Sequence, residues 1–200
     1  MGTNGIGFCL GLNLLALAGL ARDWEAAYAR LQVAPPEAVV AALESDDSYT
    51  RELALARVAR EDRTPALTQA AADALRKLAH PSVRAQLVTV LAERGDEAVR
   101  PSVRAALEDE DPCVREAAAA ACGLLKDDAA ADALFEMLGG EQGAAAREAL
   151  RRIPNPTIDA RFAEMLADDK GTNRVMALEM LMARRYGRVF DLALDKRLFE

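Results

Sequence analysis

Few residues of this chain could do chemistry. It has one histidine, His80, and three cysteines, Cys9, Cys113 and Cys122. A single histidine excludes a histidine-based metal cluster. His80 and Cys113 occupy equivalent turns of neighbouring repeats. At ordinary helix-packing distances such turns lie about 10 Å apart, too far for a shared zinc ion, whose ligand bonds are about 2.0–2.3 Å long. His80 therefore reads as a turn residue. Cys113 and Cys122 fall on one predicted helix, separated by about 13.5 Å of helical rise, so no disulfide can join them. With Cys9 the only other thiol there is no disulfide framework, and the chain suits either a reducing or an oxidising compartment. Cys113 sits in the first turn of its helix, where the dipole lowers a thiol pKa. Glu110, Asp111 and Glu116 oppose that, and Cys113 reads as a plain turn residue.

Other catalytic patterns are missing. No G-x-S-x-G elbow accompanies the lone histidine, and neither phosphate-binding glycine pattern occurs. Gly5-Ile6-Gly7 opens neither. Acidic pairs recur: Asp46-Asp47, Asp109-Asp111, Asp127-Asp128 and Asp168-Asp169. Their recurrence at repeat turns marks them as helix caps and inter-repeat contacts, not as paired general acids and bases. The expectation is no catalytic residue, no metal and no cofactor, and a non-enzymatic role is favoured.

The elements that hold these residues form a repeat. His80-Pro81-Ser82-Val83-Arg84 is echoed by Asp111-Pro112-Cys113-Val114-Arg115, a period of about thirty residues. Leu43, Leu75, Leu107, Leu138 and Leu166 each close an apolar run in a second register. Arg51, Arg84, Arg115 and Arg174 mark the first, where Arg147 fits one residue off. Such a period marks a solenoid, in which each unit buries its apolar face only against a neighbour. Asp111-Pro112, Thr64-Pro65, His80-Pro81 and Asn155-Pro156 are helix starts, with a cap followed by a proline whose missing N–H is not needed there. First helices are predicted near 49–60, 82–94, 112–126, 143–153 and 172–185. Second helices are predicted near 36–44, 65–78, 97–108, 128–138 and 157–167. Apolar residues at 114, 117, 118, 121 and 125 form one helical face, and no alternating run suggests a strand. The chain is expected to be all-α, a solenoid of about five antiparallel helix pairs.

Residues Asp109 to Ala118, followed by Gly123-Leu124-Leu125-Lys126-Asp127, resemble HEAT repeats, in particular the short bacterial type of phycobilin-lyase-like proteins. The resemblance spans roughly residues 36–186. It implies a right-handed superhelix with second helices on the concave side. It also implies that the turn Asp and the Arg four residues on hydrogen-bond between repeats. Those roles would fall on Asp111 with Arg115, on Arg84, on Asp47 with Arg51, and on Asp169 with Arg174. The unit at 140–153 departs from the pattern, because Gly139-Gly140 and Gln142-Gly143 replace the acidic turn. A local change in superhelix twist is expected there.

Composition sets further limits. The chain is 52% hydrophobic but only 4% aromatic, so the core is Ala and Leu, and aromatic anchors for a binding face are few. The net charge of −7 disfavours nucleic acid, which needs a basic surface. That charge also counts against a HEAT-like DNA glycosylase, as does the position of Trp24 outside the regular repeats. Residues 1–21 form an apolar N-terminal segment, read as either a capping helix or a signal-like stretch. It is too short for a stable membrane span, and the lack of a basic residue in Met1–Gly5 favours a cytoplasmic location over export. Residues 22–200 are the solenoid. At its C-terminal end Leu198 and Phe199 follow Val189–Leu194 without a polar capping face. The array is expected to continue past that end or to self-associate through it.

The function expected is a non-catalytic protein-protein interaction scaffold presenting its concave face to a protein or peptide. The outward residues of the second helices are the candidates: Gln69, Asp73, Arg76, Arg100, Arg104, Asp132, Glu136, Arg161 and Glu164. The alternative, implied by the resemblance alone, is a phycobilin-lyase-like enzyme or lyase subunit.

Overall fold

A computed structural model of the protein describes residues 25–60, 65–167 and 171–184. The apolar segment 1–21, Thr64, Asp168, Asp169 and the segment 189–199 lie outside the described residues. All regular structure among those described is helical. The chain divides into two compact units, Met1–Ala74 and Leu75–Glu200.

The first unit holds α1 (25–33), α2 (Pro36–Ala42), α3 (Ser48–Ala59) and α4 (Pro65–Ala74). Helix α2 rests on α3 and α4, burying Val39, Leu43, Ala54, Val58, Leu67 and Ala71. Asp47 starts α3 as its N-cap. Its carboxylate accepts from the Thr50 backbone N–H at 2.9 Å and the Thr50 hydroxyl at 2.6 Å. That hydroxyl, with the backbone N–H groups beside it, holds the carboxyl below its ordinary pKa, as an acceptor at a helix start should be.

The second unit holds α5 (Pro81–Arg94), α6 (Arg100–Ala105), α7 (Pro112–Leu124), α8 (Ala131–Met137), α9 (Gly143–Arg152), α10 (Pro156–Met165) and α11 (Gly171–Ala183). The first helices α5, α7 and α9 pack side by side in order; α6 lies against α5 and α7, and α8 against α9. This is the expected stack of helix pairs. Helix starts agree closely with expectation, because cap and proline specify them: Asp111 accepts from Cys113 N at 2.8 Å and Asn155 from Thr157 N at 2.9 Å. His80 caps α5 through its backbone carbonyl alone. Helix α5 stops at Gly95, whose φ of +70° is a left-handed conformation that glycine adopts without strain.

Two features depart from the expected pattern. The second helices predicted at 97–108 and 128–138 are not continuous. Each has a short α segment preceded by a 3-10 turn, at Glu97–Val99 and Asp128–Ala130, and a further 3-10 turn, Ala106–Glu108, follows α6. Pro101 at the start of α6 has no N–H to continue an i→i−4 ladder. Burial on α7 is also wider than one face: Ala119, Cys122 and Gly123 are buried as well as Val114, Ala118, Ala121 and Leu125. The helix has first-layer neighbours on both sides and α6 beneath it. Gly123 is part of that closeness, since a Cβ there would lie 2.6 Å from Ala149 Cα on α9. Helix α11 breaks the regular order, packing chiefly on α10 and only lightly on α9.

Candidate functional site

The repeated arginines have a common local job. Arg51 Nη1 donates to the carbonyls of Ser45 and Asp46 at 2.7 and 3.0 Å. Arg115 Nη1 donates to those of Asp109 and Glu110 at 2.8 and 2.9 Å. Arg84 Nη1 does the same with Leu78 at 2.9 Å and Ala79 at 3.4 Å. Each guanidinium thus satisfies carbonyls left over where the preceding second helix ends. Arg174 makes no such clamp among the described residues.

Arg84 also reaches the next repeat. Its Nε and Nη2 donate to the two oxygens of Asp109 at 2.9 and 2.8 Å. The ladder acid is therefore Asp109, not the expected Asp111. At the N-cap position Asp111 turns its carboxylate onto its own helix, whereas Asp109 sits two residues earlier on the side facing Arg84. Burial pushes the Asp109 carboxyl up, but the Arg84 hydrogen bond, the Asp111 N–H and the charges of Arg84 and Arg115 outweigh it, and the pKa falls below its ordinary value. The same hydrogen bond raises that of Arg84.

A second ladder joins α6 to the turn after α7. Lys126 adopts a left-handed φ of 51°, which directs Asp127 inward. There Arg104 meets its two oxygens at 2.9 and 2.8 Å, and this pairing raises the Arg104 pKa. Burial, with the Asp127 charge nearby, pushes the Cys122 thiol up to about 12. That thiol is inert at neutral pH.

At the next boundary Gly140 stands where Asp109 does, three residues before its first helix, so the acidic turn that would face Arg115 is replaced by Gly139-Gly140. A cavity of about 920 Å³ lies among α8, α9, α10 and α11. Phe135, Leu138, Met165 and Met176 form its apolar wall, and its charged lining is Arg147, Arg161 and Glu179. Phe135 packs on Phe162 with ring centres 4.9 Å apart, and the Arg161 guanidinium lies over the Phe135 ring at 4.2 Å. Asp132 accepts from Arg161 Nη1 at 2.6 Å and holds it there. Arg147 has no hydrogen-bond or ion-pair partner among the described residues. Beyond the cavity, Arg184 donates to the carbonyl of Ile153 at 2.7 Å and of Asn155 at 3.2 Å, and pairs with Asp159. These contacts fasten the end of α11 to the α9–α10 turn.

The candidate residues named from sequence are thus in different circumstances. Gln69 and Asp73 are exposed and bonded to each other at 2.8 Å. Arg76 is exposed beside the smaller cleft that holds the Arg84–Asp109 pair. Arg100 pairs with Glu97 at 3.4 Å, and Arg104 is engaged by Asp127. Asp132 and Arg161 meet beside the cavity, and Glu136 and Glu164 are exposed on the same second helices. Reasoning from sequence missed Phe135, Arg147, Met165 and Met176. The signal that could have found them was the glycine-rich turn, read with Phe135, which stands where the repeat before it has Arg104. Among the described residues no group of three or more His, Cys, Asp or Glu side chains is placed to hold a metal ion. No described helix is long and apolar enough to cross a membrane.

Stacked helix pairs with arginine clamps in the turns define a helical-repeat protein, and comparison with known proteins gives the repeat type. Residues 68–152 match the HEAT repeats family, and the repeats of this segment are HEAT repeats. No curated protein matches the chain. Among solved structures, a chain from the complex of CpcE and CpcF of phycocyanin lyase from Nostoc sp. PCC7120 matches with a TM-score of 0.50 at 20% identity. The match covers 82% of this chain and 95% of that one, and it is a likeness of fold.

Proposed function

We propose that this protein is a non-catalytic scaffold that binds another protein through its second-helix surface around α8 and α10. The observation that carries this reading is the groove among α8, α9, α10 and α11. Met165, Val175 and Met176 line it together with the guanidiniums of Arg147 and Arg161, whereas Arg84–Asp109 and Arg104–Asp127 tie the α5–α6 pair to the α7–α8 pair. Exposed residues of mixed charge, Asp132, Glu136, Arg161 and Glu164, stand on α8 and α10, and Arg161 also lines the groove, a mixture that suits the polar part of a protein interface. The remaining candidates are not part of the groove: Gln69 and Asp73 belong to the first unit, and Arg76 and Arg100 to the second. The matched chain was solved as part of a two-protein complex, which accords with a protein partner. A photo-crosslinking residue at Glu164 tests the reading, with one at Glu37 on α2 as the control. Expression in the native host should give one discrete protein adduct from position 164 and none from 37. Equal labelling from both positions, or no adduct from 164, rejects the face.

A second reading is a phycobilin-lyase-like enzyme or lyase subunit. It is favoured by one observation, the likeness of fold across nearly the whole of the matched lyase chain. Incubation with a bilin and an acceptor apoprotein should then give a coloured covalent adduct above the uncatalysed background. Absence of that excess removes this reading.

A further inference from the structure

We propose that the methionines of α8, α10 and α11 form a reversible oxidation switch, in which a hydroperoxide converts them to sulfoxides and so releases α11 from α10. This goes beyond the scaffold reading and stands whether or not the groove takes a partner.

The first observation is distribution. Met1 aside, every methionine of the chain lies on these helices, as Met137, Met165, Met176, Met180 and Met182. They stand where the stacked block uses small residues. Met137 and Met165 precede Leu138 and Leu166 as Ala106 precedes Leu107. Counted from Arg174, Met176, Met180 and Met182 fall where α7, counted from Arg115, has Ala117, Ala121 and Gly123. Alanine and glycine let helices approach closely and carry nothing that a peroxide oxidises. Thioethers pack adaptably, but oxidation turns each into a polar sulfoxide.

The second observation is placement. Met165 on α10 and Met176 on α11 line the same groove and are half-buried, within reach of a small oxidant. Met182 is 55% exposed. Met180 is only 6% exposed. With Ala177 and Leu181 it makes up the buried side of α11, a helix whose chief neighbour is α10. Ala177 contributes a single methyl group, so Met180 and Leu181 are the bulk of that apolar seam.

The chemistry follows from the placement. A thioether sulfur gives its electron pair to one oxygen of hydrogen peroxide. The O–O bond breaks, the S–O bond forms, and the other oxygen leaves as water. Oxidation starts at the accessible Met182, Met176 and Met165. Sulfoxides in the groove wall draw water between α10 and α11, because a polar oxygen buried without a donor is costly. That uncovers Met180, whose oxidation keeps the seam apart. Methionine sulfoxide reductases return each sulfoxide to the thioether, while a pair of thiols becomes a disulfide and water is released.

Graded hydrogen peroxide on the full chain, its accessible thiols first capped with iodoacetamide, tests the proposal. Peptide mapping by mass spectrometry follows each sulfoxide, and amide hydrogen exchange follows each helix. Met182, Met176 and Met165 should convert before Met180. As Met165, Met176 and Met180 convert, exchange over α10 and α11 should quicken about tenfold or more, with α5 and α7 unchanged. Reductases for both sulfoxide epimers, with dithiothreitol, should restore the protection. The combined variant Met165→Leu, Met176→Leu and Met180→Leu conserves volume and should keep its protection in peroxide, whereas Met182→Leu alone should not. Protection that survives full conversion of the methionines overturns the proposal. So does equal loss from α5 to α11, which would mark general damage, and so does a loss that the reductases do not reverse. A combined variant that opens in peroxide as wild type does overturns the assignment to these sulfurs. If that variant does not fold, the order and reversal of the wild-type changes still decide.

Discussion

Arg84 and Asp109 meet edge to edge, two nitrogens against two oxygens, with side chains only 6% and 12% exposed. The same guanidinium closes the carbonyls of Leu78 and Ala79 in its own repeat. Removing it leaves two carbonyls without this donor and leaves the Asp109 carboxylate with the Asp111 N–H but no countercharge from Arg84. Arg84→Ala should therefore cost about 3–5 kcal/mol, the range for breaking a buried pair from one side. Urea titration followed by circular dichroism measures this, and an unchanged midpoint would rule out the ladder as a stabilising device. The pH dependence has a definite sign. Asp109 has its pKa lowered on folding, so its contribution is fully present above the ordinary carboxylate value of about 3.9. That contribution is lost as pH falls towards the folded value. Acid unfolding should accordingly begin below about pH 4, and Asp109→Asn should remove part of that acid limb.

Arg100 and Arg104 stand one turn apart on α6 but should respond differently to charge reversal. Asp127, the partner of Arg104, has a side chain 5% exposed, whereas Glu97, the partner of Arg100, is 81% exposed. Arg104→Glu would set two carboxylates against each other at a buried site and should cost about 3–5 kcal/mol. Arg100→Glu should cost less than about 1 kcal/mol, as exposed pairs do. Thermal melts of the two variants decide the matter. Equal losses would mean that Asp127 does not depend on Arg104. Reversal at Arg104 therefore probes folding rather than binding.

Gly123→Ala sets helix propensity against space. Alanine favours a helix interior over glycine by about 1 kcal/mol. Here the added carbon would meet α9 at 2.6 Å, and overpacking of this kind costs about 1–3 kcal/mol. The variant should melt below wild type, while Gly139→Ala, with nothing within 4 Å, should not. A stabilised Gly123→Ala would show that α7 and α9 can move apart at little cost.

The two described thiols should differ sharply in reactivity. Cys113 is exposed and Cys122 buried, with the Cys122 pKa pushed up to about 12. Iodoacetamide on the native protein at pH 7.5, followed by peptide mapping, should modify Cys113 and spare Cys122 until denaturant is added. Early labelling of Cys122 would mean that α7 opens readily.

The helix starts are legible in the sequence because they are written locally, in a cap followed by proline, as at Asp111-Pro112 and Asn155-Pro156. The interruption of the second helices is less so, since Pro101 is compatible with a helix start and only the packing shows where the α turn begins. Both Asp109 and Asp111 belong to the turn, and the pattern alone cannot say which faces the neighbouring repeat. The cavity is the least legible feature. The loss of the acidic turn at Gly139-Gly140 is visible in the chain. The groove itself, with α11 settled chiefly on α10, depends on how successive pairs stack. Phe135 and Met176 stand at positions where the repeat makes no statement.

The light contact between α9 and α11 also bears on how the second unit comes apart. From α5 to α9 each first helix is held along its length by the next, so none of these helices can leave without exposing its neighbour. Among the described residues the α10–α11 pair is tied instead by Arg184 at the α9–α10 turn and by Phe162 and Arg161 against α8. It forms the natural first step of a stepwise unzipping, with a free energy of opening below that of the α5–α9 block. A molecule seated among α8–α11 would bridge the two parts, so that occupancy and the rigidity of this end of the unit rise together.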